Sequence, residues 1–279
     1  MSKIKAKKKI LKKHQINKAP RIVSHFASTN SFRRFLQKFT KKCVNRFDSF
    51  ISKNAESKDV EKLNEGLEDV FSELEKDATK ISKKFVKKMN KNIENHVSRG
   101  YRNAGFGAIE TDEKINEITE ANVYQQIFLI KSIPREILEK YQAYLFNNIQ
   151  SFNAKALRDF ALNVGKVSNK RAKFIARDQV AKAVNNYIVA KANQMGIEFY
   201  MWSTSNDERV SEDHKHLNNR IYKYDKPTAI IDNYKNIGHP GQRPNCRCVP
   251  VSIFLNSNQK AVLRKDTKYG DYYEIEEVN

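Results

Sequence analysis

The chain has 279 residues, 52 of them Lys or Arg against 32 Asp or Glu, for a formal net charge of +20. That length suits one large domain or two ordinary ones, and 39% hydrophobic residues with 10% aromatics suffice for a packed core, which excludes wholesale disorder. No apolar run approaches the ~20 residues of a membrane helix, and the basic N-terminus lacks the apolar stretch of a secretory signal, so neither a membrane protein nor a signal-bearing exported one is expected.

The charge is unevenly placed. Residues 1–54 hold 16 basic side chains and one acid, Asp48, a net of +15, whereas the rest of the chain nets +5. Such a block repels itself and calls for a polyanionic or acidic neighbour. Lys3, Lys5, Lys7, Lys8, Lys9, Lys12, Lys13, Lys18 and Arg21, followed by Arg33 and Arg34, are therefore candidate contacts to double-stranded DNA, phosphate-directed and without sequence preference. The plainer alternative is a solvated basic tail. Three cysteines, Cys43, Cys246 and Cys248, form no disulfide framework, and their odd number with no signal peptide points to a reducing compartment.

In chain order, residues 1–29 read as a basic arm without fixed structure. From Ser31 the apolar residues Phe32, Phe35, Leu36, Phe39, Cys43, Phe47, Phe50 and Ile51 mark one face of a helix. A longer amphipathic helix is predicted from about Asp59 to Val97. There Leu67, Val70, Leu74, Ala78, Ile81, Phe85 and Met89 follow a repeat of about 11 residues, close to the natural α-helical pitch. The glycines of "GYRNAGFG" read as a loop, since no Gly-Lys-Ser/Thr follows and no strand precedes. Thr111, with Asp112 and Glu113, is expected to start another helix, and Ser132 to cap a further one with Pro134 in its first turn. After Gly165 a helix capped by Ser168 is expected to run to Gly196. A strand over Ile197–Ser205 follows, and then short strands and loops among the prolines between Pro227 and Pro250. The fold class is thus α+β: an extended, mostly helical N-terminal two thirds with a long amphipathic helix, then a small α+β module. The expected division is 1–29 arm, 30–164 helical region, 165–255 module and 256–279 C-terminal tail.

The densest set of special residues lies between Trp202 and Cys248. "KRAKFIARDQ" at 170–179, "YMWSTSNDERVSEDHKHLNNR" at 200–220 and "GHPGQRPNCRC" at 238–248 together resemble the phage head morphogenesis family, the phage Mu F-like minor head proteins. The residues that carry the resemblance are Arg171, Ala172, Ile175, Ala176, Arg177, Trp202, Asp207, Arg209, Val210, His214, Pro240, Pro244, Cys246, Arg247 and Cys248. Asp178-Gln179 stands where the family usually has Thr-Glu, and His216 is a second imidazole beside His214. The resemblance implies a structural, non-enzymatic virion protein of a tailed-phage head, present in the host cytoplasm during assembly. Its partners would be the portal or major capsid protein and packaged DNA, and its work head assembly, with a share in DNA packaging or ejection. In it, Arg177, Trp202, Asp207, Arg209, His214, Cys246, Arg247 and Cys248 would form the motif of the module core.

Two other chemistries remain open for the same cluster. Cys246 and Cys248 with His214 and His239 offer a four-ligand set suited to Zn²⁺, although Cys-x-Cys is tighter than the usual two to four spacers. Asp207, Asp213, His214 and His216, or a Cys246–His214 pair, could serve a nuclease- or hydrolase-like enzyme delivered with phage DNA. No Ser elbow or His-Glu-x-x-His supports that reading.

Overall fold

The computed structural model describes residues 16–54, 57, 59–106, 112–148, 154–231 and 236–278. Its elements are β1 (Asn17–Lys18), α1 (Phe26–Lys53), α2 (Val60–Asn103), α3 (Glu113–Asn148), α4 (Ala154–Gln194), β2 (Phe199–Ser203), α5 (Glu212–Leu217), β3 (Ile221–Lys223), β4 (Val249–Phe254), β5 (Gln259–Arg264) and β6 (Tyr272–Glu277). Long helices followed by an antiparallel sheet make the chain α+β, as expected. The chain forms two compact units, and both interleave distant segments. One joins 26–92 with 119–180; the other joins 1–25, 93–118 and 181–279.

The first unit is helical. Phe32, Leu36, Phe39, Cys43, Phe47 and Ile51 of α1 are buried, as their spacing requires. Phe85 of α2 stacks on Phe35 with centroids 4.4 Å apart, and Tyr141 of α3 stacks on Phe47 at 5.5 Å. Asp59 caps α2 by accepting from the Lys62 amide at 3.0 Å. The buried stripe of α2 departs from the expected one beyond Ala78. Ile81 is 40% exposed; Met89 is buried as expected, and Ser82, Val86, Asn90 and Ile93 join it on the inward face. Two polar residues hide in this stripe because each has a partner: Ser82 donates to the Ala78 carbonyl, and Asn90 donates to Gln126 at 2.7 Å.

One expected helix start holds and two are overturned: α3 begins at Glu113, as read, whereas Ser132 and Ser168 lie inside helices. Asp112 caps α3 through the Ile115 amide at 2.9 Å, while Thr111 lies outside the described residues. Ser132 does not begin a helix, for α3 runs through Pro134, whose missing N–H costs only the Ile130 carbonyl its intrahelical donor. The Ser132 hydroxyl donates back to Leu129 and accepts from Arg171, itself paired with Glu136 at 2.9 Å. Gly165 and Ser168 likewise lie inside α4, so the expected boundary at 164/165 falls within a helix.

The second unit is built on a six-stranded antiparallel sheet of order β1-β4-β2-β3-β6-β5. β2 pairs β4 with Tyr200 opposite Ser252 and Trp202 opposite Pro250. Alternation sends Phe199 and Met201 into a cluster with Ile16, Ile221, Val249, Val251, Ile253 and Ile275. Tyr200, Trp202 and Tyr222 are buried as well, so both faces of the sheet are covered. Ser252 accepts and donates between Tyr101 of α2 and Tyr224, each at 2.8 Å, and Tyr101 also donates to the Ile188 carbonyl of α4.

The two ends of the expected division need correction. Residues 16–25 belong to the sheet unit: Ile16 and Ile22 are buried, and Ile22 fills the space a side chain at Gly100 would need. Residues 259–277 are no tail but the β5–β6 pair, whose Arg264 binds Glu274 and Glu276 across the strands.

Candidate functional site

Three separated pieces of the sheet unit build the site: the six-residue α5, the turn at Ile231, and residues 239–248 leading into β4. Residues two apart on a helix lie about 200° apart around its axis. Hence His214 turns inward and is buried, while His216 is exposed and stacks on Tyr269 at 4.3 Å. Of the two imidazoles, His214 is the one in the site.

Cys246 and Cys248 meet it from the other side. Alternate residues of an extended segment share a face, so this spacing sends both sulfurs one way and Arg247 the other. The His214 Nδ1 lies 3.5 Å from each sulfur, and the three donor atoms fall within 4.8 Å of one another. The His214 Nε2 is 3.0 Å from the Ile231 carbonyl. A carbonyl only accepts, so Nε2 carries a proton and donates it, which leaves Nδ1 as the atom facing the sulfurs.

The local charges follow from these contacts. Burial pulls the His214 pKa down, but Cys246, the Ile231 carbonyl and Asp213 outweigh it and hold it above the usual value. The Cys248 thiol hydrogen-bonds to Cys246, and His214 faces it as well, so Cys246 ionises well below an ordinary thiol. Cys248 is pushed up in turn, because its thiol hydrogen-bonds to Cys246 and a second thiolate would be buried beside the first.

Arginines brace the surrounding loops. Arg247 forms a two-point pair with Asp207, Nη2 to Oδ1 at 2.6 Å and Nη1 to Oδ2, and holds that carboxyl well below the usual range. The exposed Arg209 meets the same carboxylate at 3.3 Å. Arg243 binds the buried Asp213 at 2.9 Å and donates to Ser211, the residue before α5. Asn185 of α4 donates to the carbonyls of Pro240 and Cys248, 3.1 Å each, and so ties down both ends of the loop that carries the cysteines. Gly241 has φ +83°, and a Cβ there would lie 1.8 Å from the Asn185 amide. Only glycine fits. Trp202 is fully buried, its ring edge-on to His214 with centroids 5.3 Å apart. A cavity of about 180 Å³ opens on the trio, with Ser205, Ser211 and Arg243 in its wall.

Three of the four expected metal ligands are thus together, and the fourth is not. His239 is held elsewhere, its Nδ1 3.1 Å from the Tyr200 hydroxyl, and burial lowers its pKa. The acid–base set does not assemble either: arginines engage Asp207 and Asp213, and His216 faces Tyr269. Arg177 is exposed on α4 and so occupies no core position. Of the expected DNA contacts, Lys3 to Lys13 lie outside the described residues. Lys18, Arg33 and Arg34 are exposed, and Arg21 donates to the Thr204 carbonyl at 2.9 Å. Sequence reasoning missed Asn185, Arg243 and the Ile231 carbonyl, because nothing near them in sequence marks their distant partners.

Residues 137–251 match the family described as "Phage Mu protein F like protein". The matched span contains all three motif blocks and the whole His214–Cys246–Cys248 trio, and the resemblance read from the motifs is borne out. An uncharacterized protein of Haemophilus influenzae (strain ATCC 51907 / DSM 11121 / KW20 / Rd) is 38% identical over 148 residues, 53% of this chain and 31% of that protein. The chain thus spans about a third of that curated relative's length. No solved structure matches. No helix among the described residues is long and apolar enough to cross a membrane.

Proposed function

We propose that the chain is a structural component of a tailed-phage head, acting in head assembly rather than as an enzyme. The observation that carries this reading is the family match over 137–251, which coincides with the three motif blocks and with the residues that brace the site. The protein docks on the portal or major capsid protein, in the virion and, before that, in the host cytoplasm. The exposed Tyr124, Phe128 and Phe146 of α3 supply apolar contact area for such a partner.

Packaged double-stranded DNA is met by the basic N-terminal residues, during packaging or ejection. Strand β1 anchors the chain at Asn17–Lys18, so the seven lysines from Lys3 to Lys13 precede a fixed point. Binding of this kind is sequence-independent and weakens with salt by a log–log slope of about 0.9 per phosphate contacted. The test replaces those seven lysines by glutamine and keeps Ile16 and Ile22, which the sheet unit buries. DNA affinity measured against salt is expected to show a clearly shallower slope. An unchanged slope would remove DNA as the partner of this segment.

A further inference from the structure

We propose that His214, Cys246 and Cys248 bind one Zn²⁺ ion per chain through Nδ1 and the two sulfurs, leaving the fourth tetrahedral position open to the adjoining cavity. The argument is first one of distances. With Zn–N near 2.05 Å and Zn–S near 2.3 Å, tetrahedral angles put a nitrogen and a sulfur about 3.6 Å apart. Both Nδ1–Sγ separations in the protein are 3.5 Å. A catalytic Cys–His pair needs one sulfur at that distance from the imidazole. Here two sulfurs share one nitrogen, an arrangement that serves a shared ion and is redundant for a nucleophile.

The surroundings agree with the ligands. The Ile231 carbonyl takes the Nε2 proton of His214, which is the outer contact that fixes a ligating imidazole in the right tautomer. Asn185 holds the Cys248 carbonyl, and the turn bonding the Cys246 amide to the Arg243 carbonyl holds the other sulfur's backbone, 3.1 Å in each case. Both cysteines bind as thiolates, and the ion with two thiolates and a neutral imidazole carries no net charge. A neutral unit suits a site whose three residues are buried. Thiolate donors favour zinc over the hard cations.

Among the described residues, no fourth ligand completes the shell. His239 is bonded to Tyr200, and Asp213 is engaged by Arg243. Three protein ligands with a remaining position facing a cavity is the open form of a zinc site, which takes water or a small ligand. Ser205, Ser211 and Arg243 in the cavity wall supply polar partners for it.

The full-length protein, stripped with chelator and titrated with Co²⁺ under reducing conditions, provides the test. One Co²⁺ per chain is expected, with sulfur-to-cobalt charge-transfer absorption in the near ultraviolet and visible bands of tetrahedral intensity. Zn²⁺ should displace it, and elemental analysis should find one zinc per chain in protein purified without chelator. Cys246→Ser, Cys248→Ser and His214→Ala should each abolish the charge-transfer band or weaken Co²⁺ affinity at least tenfold. His239→Gln, which leaves the trio intact, should bind as the wild type does. Azide added to the cobalt protein should shift the visible bands if the fourth position is open. Absence of a charge-transfer band in the folded wild type overturns the site, as does loss of binding in His239→Gln. Bands insensitive to azide overturn the open position.

Discussion

Lys191 is fully buried, and its ammonium lies 3.6 Å from the carboxylate of Glu94, which is 6% exposed. A pair so placed contributes little over an apolar pair, but removing one partner strands the other charge away from water. Lys191→Ala is expected to cost about 3–5 kcal/mol in urea unfolding, and Lys191→Met with Glu94→Gln much less. The histidines give a pH dependence of known sign. Burial lowers the pKa of both His25 and His239, and His96 and Arg99 add to the shift at His25. The unfolded chain then takes up these protons more readily than the folded one. Stability held above the ordinary histidine value of 6.5 is lost as pH falls through that value toward the folded pKa. These two histidines lower the urea midpoint on acidification while the raised His214 opposes them, so His239→Gln should make the fall shallower. A variant as steep as the wild type would contradict the assignment.

Individual elements show what pattern alone conveys. The helix of α1 and the strand β2 were legible because their apolar spacings are clean, and the cysteine pair and His214 were legible as a set by residue type. What failed was punctuation. Ser132 and Ser168 have the chemistry of helix caps, yet both sit within helices, since long neighbouring helices supply the packing that overrides a local cap. The β5–β6 pair escaped notice because its strands are largely polar, and Arg264, Glu274 and Glu276 fix them through ion pairs rather than an apolar run. Its one deeply buried apolar residue, Ile275, carries it into the sheet core. Ile275→Ala is expected to cost about 2–5 kcal/mol. The loop before β4 depends on a single backbone conformation at Gly241. Gly241→Ala combines positive-φ strain, about 1–3 kcal/mol, with a collision against Asn185. It should lower the melting temperature, and a variant that melts like the wild type would show that the loop yields at no cost.

For the whole molecule, the +20 charge divides into parts with different partners. Lys42 and Arg46 of α1 already meet Asp77 and Glu73 of α2, so some of the N-terminal excess is answered within the chain, though exposed pairs of this kind stabilise weakly. The seven lysines ahead of β1, with the exposed Lys18, Arg33 and Arg34, are assigned to an outside polyanion in the proposed reading. The division into two units was not legible in the sequence, because each unit joins stretches that are not consecutive in the chain and α2, α3 and α4 contribute residues to both. No local signal records such pairings. The placement in a phage head is tested most directly by quantitative mass spectrometry of purified, DNA-filled heads from a phage that encodes this chain. The chain should be present in every preparation, in fewer copies than the major capsid protein, and should remain after a high-salt wash that removes loosely bound cytoplasmic proteins. Its absence from washed heads would contradict the proposed function.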